Sequence, residues 1–316
     1  MRVIEAIVSF PIFSIKLPQA FQVADTYLLP PPSTICGALA YSYAISKRTF
    51  FEHALEKFAK NTWCFAIPIT DIVVSSVILR RIRILDKKDD PLIKVKASER
   101  DKALSKFPKN IQDVVREYFD RTGRKTIKIR DVLEVLYDKG LEDYWFLYNS
   151  KLFDAMYRRY ASTAEVYVAA ITTIGDDFIP SFSRMGDTES YVSIREMAVI
   201  KEIKKESIGP KENVVVDSYV PMIYRGKTIS IPNEPYIIQT MTEPLYLLDR
   251  RNRAYYFESV LPLKQSTKRL RRKTIVLFSR TSGVNVRTIE EASLFKYKSS
   301  VLKKEVSVLL PKEVSL

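Results

Sequence analysis

Three consecutive prolines at positions 30–32 constrain the fold more than any other feature of the sequence. Proline fixes φ, lacks an N–H donor and disfavours helix in the residue before it, so this segment must be stiff and extended. The preceding residues 2–15 alternate between apolar and polar side chains, which predicts a strand. Ser33 is the predicted N-cap of a helix over 34–47, where apolar residues recur every four positions.

The start of this helix is a candidate anion site. The free amides of a first helical turn favour a negative charge, and a backbone phosphate of RNA suits them. Gly37, within that turn, has no side chain to hold another backbone away. An ordinary connection between a strand and a helix explains the same residues without any ligand.

The remaining pattern predicts an α+β fold whose antiparallel sheet carries helices on one face. Helices are expected at 50–60, from Pro108, at 131–140 and at 144–160, and strands at 64–85, 164–174 and 191–204. Residues 86–160 form a predicted helical insertion into this β-rich host. After residue 210, short segments between prolines predict several short strands. The expected domains are 1–205, containing the insertion, and a β-rich, basic region at 206–316.

Composition excludes several classes of protein. The chain has 316 residues, 46% of them hydrophobic, so it can build a large core and disorder is not expected. No apolar stretch approaches the length of a membrane span, and the N-terminus lacks the features of a signal peptide, so we expect a cytoplasmic protein. Cys36 and Cys64 lie among apolar residues and are expected to be buried free thiols, too few for a disulfide framework.

The basic charge is concentrated near the C-terminus. The formal net charge is +14, yet residues 161–249 carry 8 basic and 13 acidic residues. Residues 250–316 carry 16 basic and 5 acidic residues, a net charge of +11. A basic region of this kind favours a polyanionic partner such as nucleic acid. A basic surface that serves only solubility is the alternative.

Two strings of residues resemble a known family. Residues 28–39 (LLPPPSTICGAL) closely resemble the N-terminal signature of the Cas five family, the RAMP subunit of type I CRISPR effector complexes. Residues 183–193 (SRMGDTESYVS) are similar to the Arg-x-Gly-x-x-Glu-Ser segment of that family. Both occur in the expected order, about 150 residues apart, which is more specific than either alone. The general appearance is closest to the archaeal I-A branch, and a I-D subunit or a type III relative is the alternative.

The resemblance implies a fold and a role. The family has a RAMP fold, a ferredoxin-like variant of the RNA-recognition-motif sheet. Its members bind the 5′ tag of CRISPR RNA, cap the backbone of Cas seven subunits and contact the large subunit near the protospacer-adjacent motif of target DNA. They carry a projection, the thumb, whose place residues 86–160 could take, although thumbs are often hairpins. The residues that the two matching strings assign to RNA are Tyr27, Ser33, Thr34, Gly37, Arg184, Met185, Gly186 and Ser190.

Three groups of cations extend this candidate site. The fork of Arg184 suits a phosphate, although it could instead pair with Glu189 across a turn. Residues 264–273 (KQSTKRLRRK) contain six cations in ten positions, which favours phosphate contacts, unless the run is a solvated loop. Arg80 and Arg81 end a predicted strand and could face RNA or an acidic partner. The run supplies four further candidates: Lys268, Arg269, Arg271 and Arg272.

The sequence contains no convincing catalytic site, cofactor site or metal site. His53 is the sole histidine, in a predicted helix four residues before Lys57, and no array of carboxylate, histidine and nucleophile is evident. Asp176 and Asp177 lack a second carboxylate cluster at ligand spacing. We therefore expect a protein that is not an enzyme. A metal-independent endoribonuclease that processes CRISPR transcripts, and a basic scaffold that contacts only proteins, are the alternatives.

Overall fold

The structure is a computed structural model of the chain. It describes residues 1–17, 23–82, 109–122, 153–175, 177–186, 190–224, 229–230, 235–270, 273–312 and 314. Two compact units divide the chain. One consists of residues 1–77 and 157–316, and the other of residues 78–156. The predicted domain boundary at residue 205 and the role of the insertion as a thumb stay predictions.

The N-terminal elements follow the predicted order. They are β1 (Arg2–Phe13), β2 (Val23–Ala24), α1 (Pro32–Lys47), α2 (Phe51–Asn61), β3 (Thr62–Pro68) and β4 (Ile72–Ile82). The prolines set the start of α1, because Pro31 is the N-cap and Pro32 the first helical residue. The prediction of Ser33 as N-cap is therefore wrong, since Ser33 lies within the helix as its second residue. Helix α1 ends where Arg48 adopts a left-handed conformation.

The insertion contains one described helix, α3 at Lys109–Thr122. The predicted helix at 131–140 lies outside the described residues. The predicted helix at 144–160 is wrong from residue 153 onward, because β5 (Phe153–Thr172) is one strand of 20 residues. Its first part pairs with β2 at Tyr157 and Arg158, and these sheet hydrogen bonds override the local helical spacing.

The C-terminal part is rich in β-structure, as predicted. Its strands are β6 (Ser193–Ile200), β7 (Lys204–Ile208), β8 (Asn213–Val216), β9 (Val220–Ile223), β10 (Ile237–Thr242), β11 (Tyr256–Leu261), β12 (Leu263–Leu270), β13 (Lys273–Arg280), β14 (Val284–Arg287), β15 (Ala292–Lys298) and β16 (Glu305–Pro311). Two 3₁₀ helices lie between β10 and β11, at Pro244–Leu247 and Arg253–Tyr255. Not every proline separates strands, because Pro221 lies inside β9.

An eight-stranded sheet organises the fold. Its strand order is β12-β13-β4-β5-β1-β6, and β2 and β3 also pair with β5. Strand β5 pairs antiparallel with both β1 and β3, so that Val168 lies between Ala6 and Ala66. Three smaller antiparallel sheets, β10-β11-β9, β14-β8 and β16-β15-β7, complete the β-structure. The class is α+β with predominantly antiparallel sheets, as predicted, and is consistent with a RAMP-like fold.

Both faces of the central part of the sheet are covered. On one face, Ile4, Ala6 and Val168 surround a small apolar cavity together with Ile35 and Leu39 of α1. On the other, the hydroxyl of Tyr167 in β5 contacts that of Tyr297 in β15 at 2.6 Å. Helices therefore close one face and the C-terminal strands close the other.

Candidate nucleic-acid interface

At the central strands β1, β3 and β5, the sheet face that faces away from the helices is covered by other parts of the protein. RNA-recognition motifs stack bases on that face. Here Glu5 in β1 is fully buried on it and accepts hydrogen bonds from Tyr167 at 2.6 Å and from the N–H and hydroxyl of Ser300 at 3.0 and 2.9 Å. Trp63 in β3 packs against Phe257, with ring centroids 5.7 Å apart. Any RNA must therefore lie at an edge or on a loop of this unit.

The proline segment and the start of α1 are largely inside the protein. Ser33 is 4% exposed and its hydroxyl lies 2.5 Å from that of Thr242 in β10. Tyr27 is 2% exposed. Leu247 of the first 3₁₀ helix covers Gly37, since a Cβ built there would lie 3.7 Å from its Cδ1. Only Thr34 and Gly37 of this string are partly exposed. The side chains of Tyr27 and Ser33 are therefore not accessible to RNA.

Burial also dominates the ionisation of Tyr27. It raises the pKa of the phenol well above its usual value, and the nearby hydroxyl of Thr242 lowers it in part. No described group meets the geometry of a hydrogen bond with the Tyr27 hydroxyl. The side chain therefore stays neutral and behaves as a core residue.

The described residues of the second string, 183–186 and 190–193, pair as the two sides of a hairpin that is fixed to the end of β1. Met185 N–H donates to Ser190 O at 3.1 Å, and Val192 N–H donates to Ser183 O at 2.9 Å. The fully buried hydroxyl of Ser190 accepts from Ser14 N–H at 3.1 Å. Met185 is buried in the core. These residues hold the loop in place, and their side chains are not exposed to a ligand.

Gly186 and Arg184 have separate roles in this hairpin. Gly186 has φ +107°, and a Cβ there would approach Ile15 Cγ1 to 2.6 Å, so both conformation and space require glycine. Arg184 is exposed and its guanidinium carbon lies 4.9 Å from the ring centroid of Tyr191, which is 55% exposed. Its Nη2 donates to the Tyr191 hydroxyl at 3.0 Å. Glu189, the other predicted partner of Arg184, lies outside the described residues.

The cationic run forms an exposed ribbon. Strand β12 pairs only with β13 among the described strands, and β13 joins the sheet through three residue pairs with β4, from Val276↔Val74 to Phe278↔Ile72. Residues 264–269 of β12 are all exposed. Because side chains alternate along a strand, Lys268 and Arg269 lie on opposite faces of the ribbon. Arg271 and Arg272 lie outside the described residues.

The two arginines of β4 lie in the strand as predicted, and the structure describes only their backbone. Arg80 and Arg81 are inside β4 (Ile72–Ile82), in the unit of residues 78–156. Their contact with RNA or with an acidic partner stays a prediction.

A second set of exposed cations was not predicted from the sequence. Arg250, Arg251 and Arg253 are exposed and lie in sequence between Tyr246 and Tyr256, whose half-buried rings contact each other. The string RRNRAYY at 250–256 was the available signal, because closely spaced cations and aromatics are typical of single-strand binding surfaces. The run at 264–273 was selected instead because its cations are more closely spaced.

The described groups considered for catalysis each contact a neighbouring side chain, and Asp176 lies outside the described residues. His53 is exposed on α2 and packs its ring edge-on to Phe50, 5.9 Å away, while Lys57 donates to the Tyr43 hydroxyl at 3.0 Å. Asp177 forms an ion pair with Arg2 at 3.0 Å. Within the described ranges no group of three or more histidine, cysteine or acidic residues could hold a metal ion. Cys36 and Cys64 are buried and unlinked, as predicted, and burial raises the pKa of the Cys64 thiol.

No described helix is long and apolar enough to cross a membrane. Comparison with solved structures found structural likenesses. A structure described as the crystal structure of a CRISPR protein from Archaeoglobus fulgidus aligns over 97% of this chain and 99% of its own, with 10% identity and a TM-score of 0.42. That TM-score is too low to establish a shared fold. No family model and no curated protein matches the chain.

Proposed function

We propose that this chain is a non-catalytic, RNA-binding subunit of a type I CRISPR effector complex that holds the 5′ tag of CRISPR RNA. The exposed cationic ribbon carries the proposal, because it presents Lys268 and Arg269 at exposed positions of β12, which pairs only with β13 among the described strands. The two strings that resemble the Cas five family support the choice of CRISPR RNA as the ligand. A Cas seven backbone subunit, the large subunit and target DNA are the further partners proposed on that resemblance.

The ribbon fits a phosphate backbone better than a base-specific site. Its exposed side chains are cations and small polar groups, without an aromatic ring among residues 264–269. Cations of this kind neutralise phosphates and position the chain of RNA without reading its sequence. Sequence recognition of a target is then left to base pairing by the guide.

Arg184 and Tyr191 offer a second contact at the other end of the sheet, beyond β1. A guanidinium stacked on a tyrosine ring keeps its outer N–H groups free for a phosphate, while the ring edge can meet a base. The hairpin that carries them is fixed by the buried Ser190, so the pair is held in place before binding.

The experiment compares two variants of equal charge. In the ribbon variant, Lys268, Arg269, Arg271 and Arg272 are replaced by Ser; in the control, the exposed cations Lys16, Lys47, Lys201 and Lys298 are replaced by Ser. Affinity for single-stranded repeat RNA is measured at several salt concentrations. Each lost phosphate contact lowers the slope of log affinity against log salt by about 0.7, so the ribbon variant loses up to about 3 and the control far less.

Equal slopes for the two variants, with unchanged melting temperatures, would contradict a role of the ribbon in RNA binding. Incubating the parent with repeat RNA in EDTA tests the non-catalytic assignment in the same preparation. Specific cleavage of the RNA by the pure protein would favour the endoribonuclease instead, and a His53→Ala variant would then show whether His53 takes part.

A further inference from the structure

A short rigid loop between β10 and β11 presents three arginines. Arg250 and Arg251 are the central residues of a turn in which Asn252 N–H donates to Asp249 O at 3.2 Å. The carboxylate of Asp249 accepts from Arg251 N–H at 3.1 Å, and the side chain of Asn252 caps the 3₁₀ helix that follows by accepting from Ala254 N–H at 3.0 Å. Local hydrogen bonds thus fix the backbone that carries the arginines.

Two tyrosines lie at the base of this loop. The rings of Tyr246 and Tyr256 are tilted by 46° with centroids 5.4 Å apart, and both are half-buried. Burial and the hydrogen bond with Tyr246 raise the pKa of Tyr256, while the positive charge of Arg253 lowers it. Arg253 is therefore close enough to Tyr256 for its charge to act on the phenol.

The charge of the loop is not neutralised by neighbouring side chains. Among the described residues, no carboxylate forms an ion pair with Arg250, Arg251 or Arg253. Asp249 and Glu258 are the exposed acidic groups nearest in sequence, which leaves an excess of positive charge over residues 249–258. Three exposed arginines beside two aromatic rings match the composition of surfaces that bind single-stranded nucleic acid.

We propose that Tyr246, Arg250, Arg251, Arg253 and Tyr256 form a third RNA contact, the arginine–tyrosine patch. The arginines bind one or two phosphates of a single strand, and an adjacent base stacks on the exposed part of the tyrosine pair. This surface differs from the ribbon, which has cations but no rings at residues 264–269. The proposal rests on the proposed function for the identity of its ligand as RNA.

Crosslinking locates the contact. Single-stranded RNA that contains 4-thiouridine is irradiated with the full chain, and the crosslinked peptides are identified by mass spectrometry. The patch predicts crosslinks to Tyr246 or Tyr256, and they persist in the ribbon variant. Absence of crosslinks between residues 244 and 258, under conditions where others form, would overturn the proposal.

Affinity measurements use a patch variant with Arg250, Arg251 and Arg253 replaced by Ser, and a control with Lys47, Lys201 and Lys298 replaced by Ser. All six side chains are exposed, so both variants are expected to fold. The patch variant should lower the salt slope by up to about 2 and the control by much less. Tyr256→Leu should weaken binding by about fivefold or more through lost stacking, whereas Tyr256→Phe keeps the ring and should bind as the parent does.

The outcomes separate the two proposals. If the ribbon variant loses RNA and the patch variant binds as the control does, the patch is wrong and the proposed function stands. If the patch variant loses RNA and the ribbon variant does not, the patch stands and the ribbon is wrong. If the parent binds no single-stranded RNA, both fail, and the arginines are left as a surface for an acidic protein.

Discussion

The proline segment and the cationic ribbon were both predicted to contact RNA, and the structure places them in opposite environments. Tyr27 and Ser33 are almost fully buried, whereas every residue from 264 to 269 is exposed. Motif residues at the start of α1 therefore form the junction between that helix and β10, and the ribbon presents charge to solvent. A family-like motif can mark residues that hold a site together without touching its ligand.

The largest effect on stability is expected where the proline segment is buried, at the contact between Ser33 and Thr242. Thr242→Val keeps the shape of the side chain but leaves the Ser33 hydroxyl, 2.5 Å away in the parent, without that partner. Leaving a buried hydroxyl unpaired costs about 2 kcal/mol, which should appear as a lower free energy of unfolding in urea. RNA affinity of the folded protein should not change.

The double variant Ser33→Ala, Thr242→Val is the control for this effect. It removes both hydroxyls, so part of the lost stability should return relative to Thr242→Val alone. A large loss of RNA affinity in either variant, with the fold intact, would show that this junction contacts RNA and would remove the contrast with the ribbon.

Gly37 gives a smaller effect with the opposite sign. A Cβ at this position would make an ordinary contact of 3.7 Å with Leu247, and glycine within a helix is less favourable than alanine by about 1 kcal/mol. Gly37→Ala should therefore raise the melting temperature by about 2 °C. Weaker RNA binding by this more stable variant would mean that RNA approaches the backbone of α1 after all.

Much of the fold could be predicted from the sequence, because local signals were strong there. The prolines fixed the start of α1, and the apolar spacing located α2 and α3. The start of β5 could not be predicted, since residues 153–160 become a strand only by pairing with a segment more than 130 positions earlier. Burial of Ser33 likewise depends on Thr242, which is 209 residues away. The dense run of cations predicted the ribbon as a site, whereas the shorter group of Arg250, Arg251 and Arg253 was not predicted.

Single substitutions in the ribbon can show which of its two faces contacts RNA. Lys268 and Arg269 are adjacent in β12 and lie on opposite faces. If RNA follows one face, only one of the variants Lys268→Ser and Arg269→Ser should lower the salt slope, by about 0.7. Equal effects of both would indicate that RNA wraps around the edge of the ribbon, and no effect of either would remove both residues from the site.

The smallest effect is expected at Tyr27. The Thr242 hydroxyl lies near the buried Tyr27 hydroxyl without the geometry of a hydrogen bond and offsets much of the cost of its burial, so Tyr27→Phe should change the free energy of unfolding at neutral pH by no more than about 0.5 kcal/mol. At alkaline pH the stabilities of the parent and of Tyr27→Phe should differ. Burial raises the pKa of Tyr27 in the folded protein, while in the unfolded chain the phenol ionises near pH 10.

Above that pH the unfolded chain binds fewer protons than the folded protein at this site, so stability falls as pH rises, by about 1.4 kcal/mol per unit. Tyr27→Phe lacks this group and should lose stability less steeply. The measurement is urea unfolding followed by tryptophan fluorescence at several alkaline pH values, with the exposed Tyr41→Phe as the control. Identical pH dependence of parent and Tyr27→Phe would mean that Tyr27 ionises as an exposed phenol does, and that the proline segment is open to solvent.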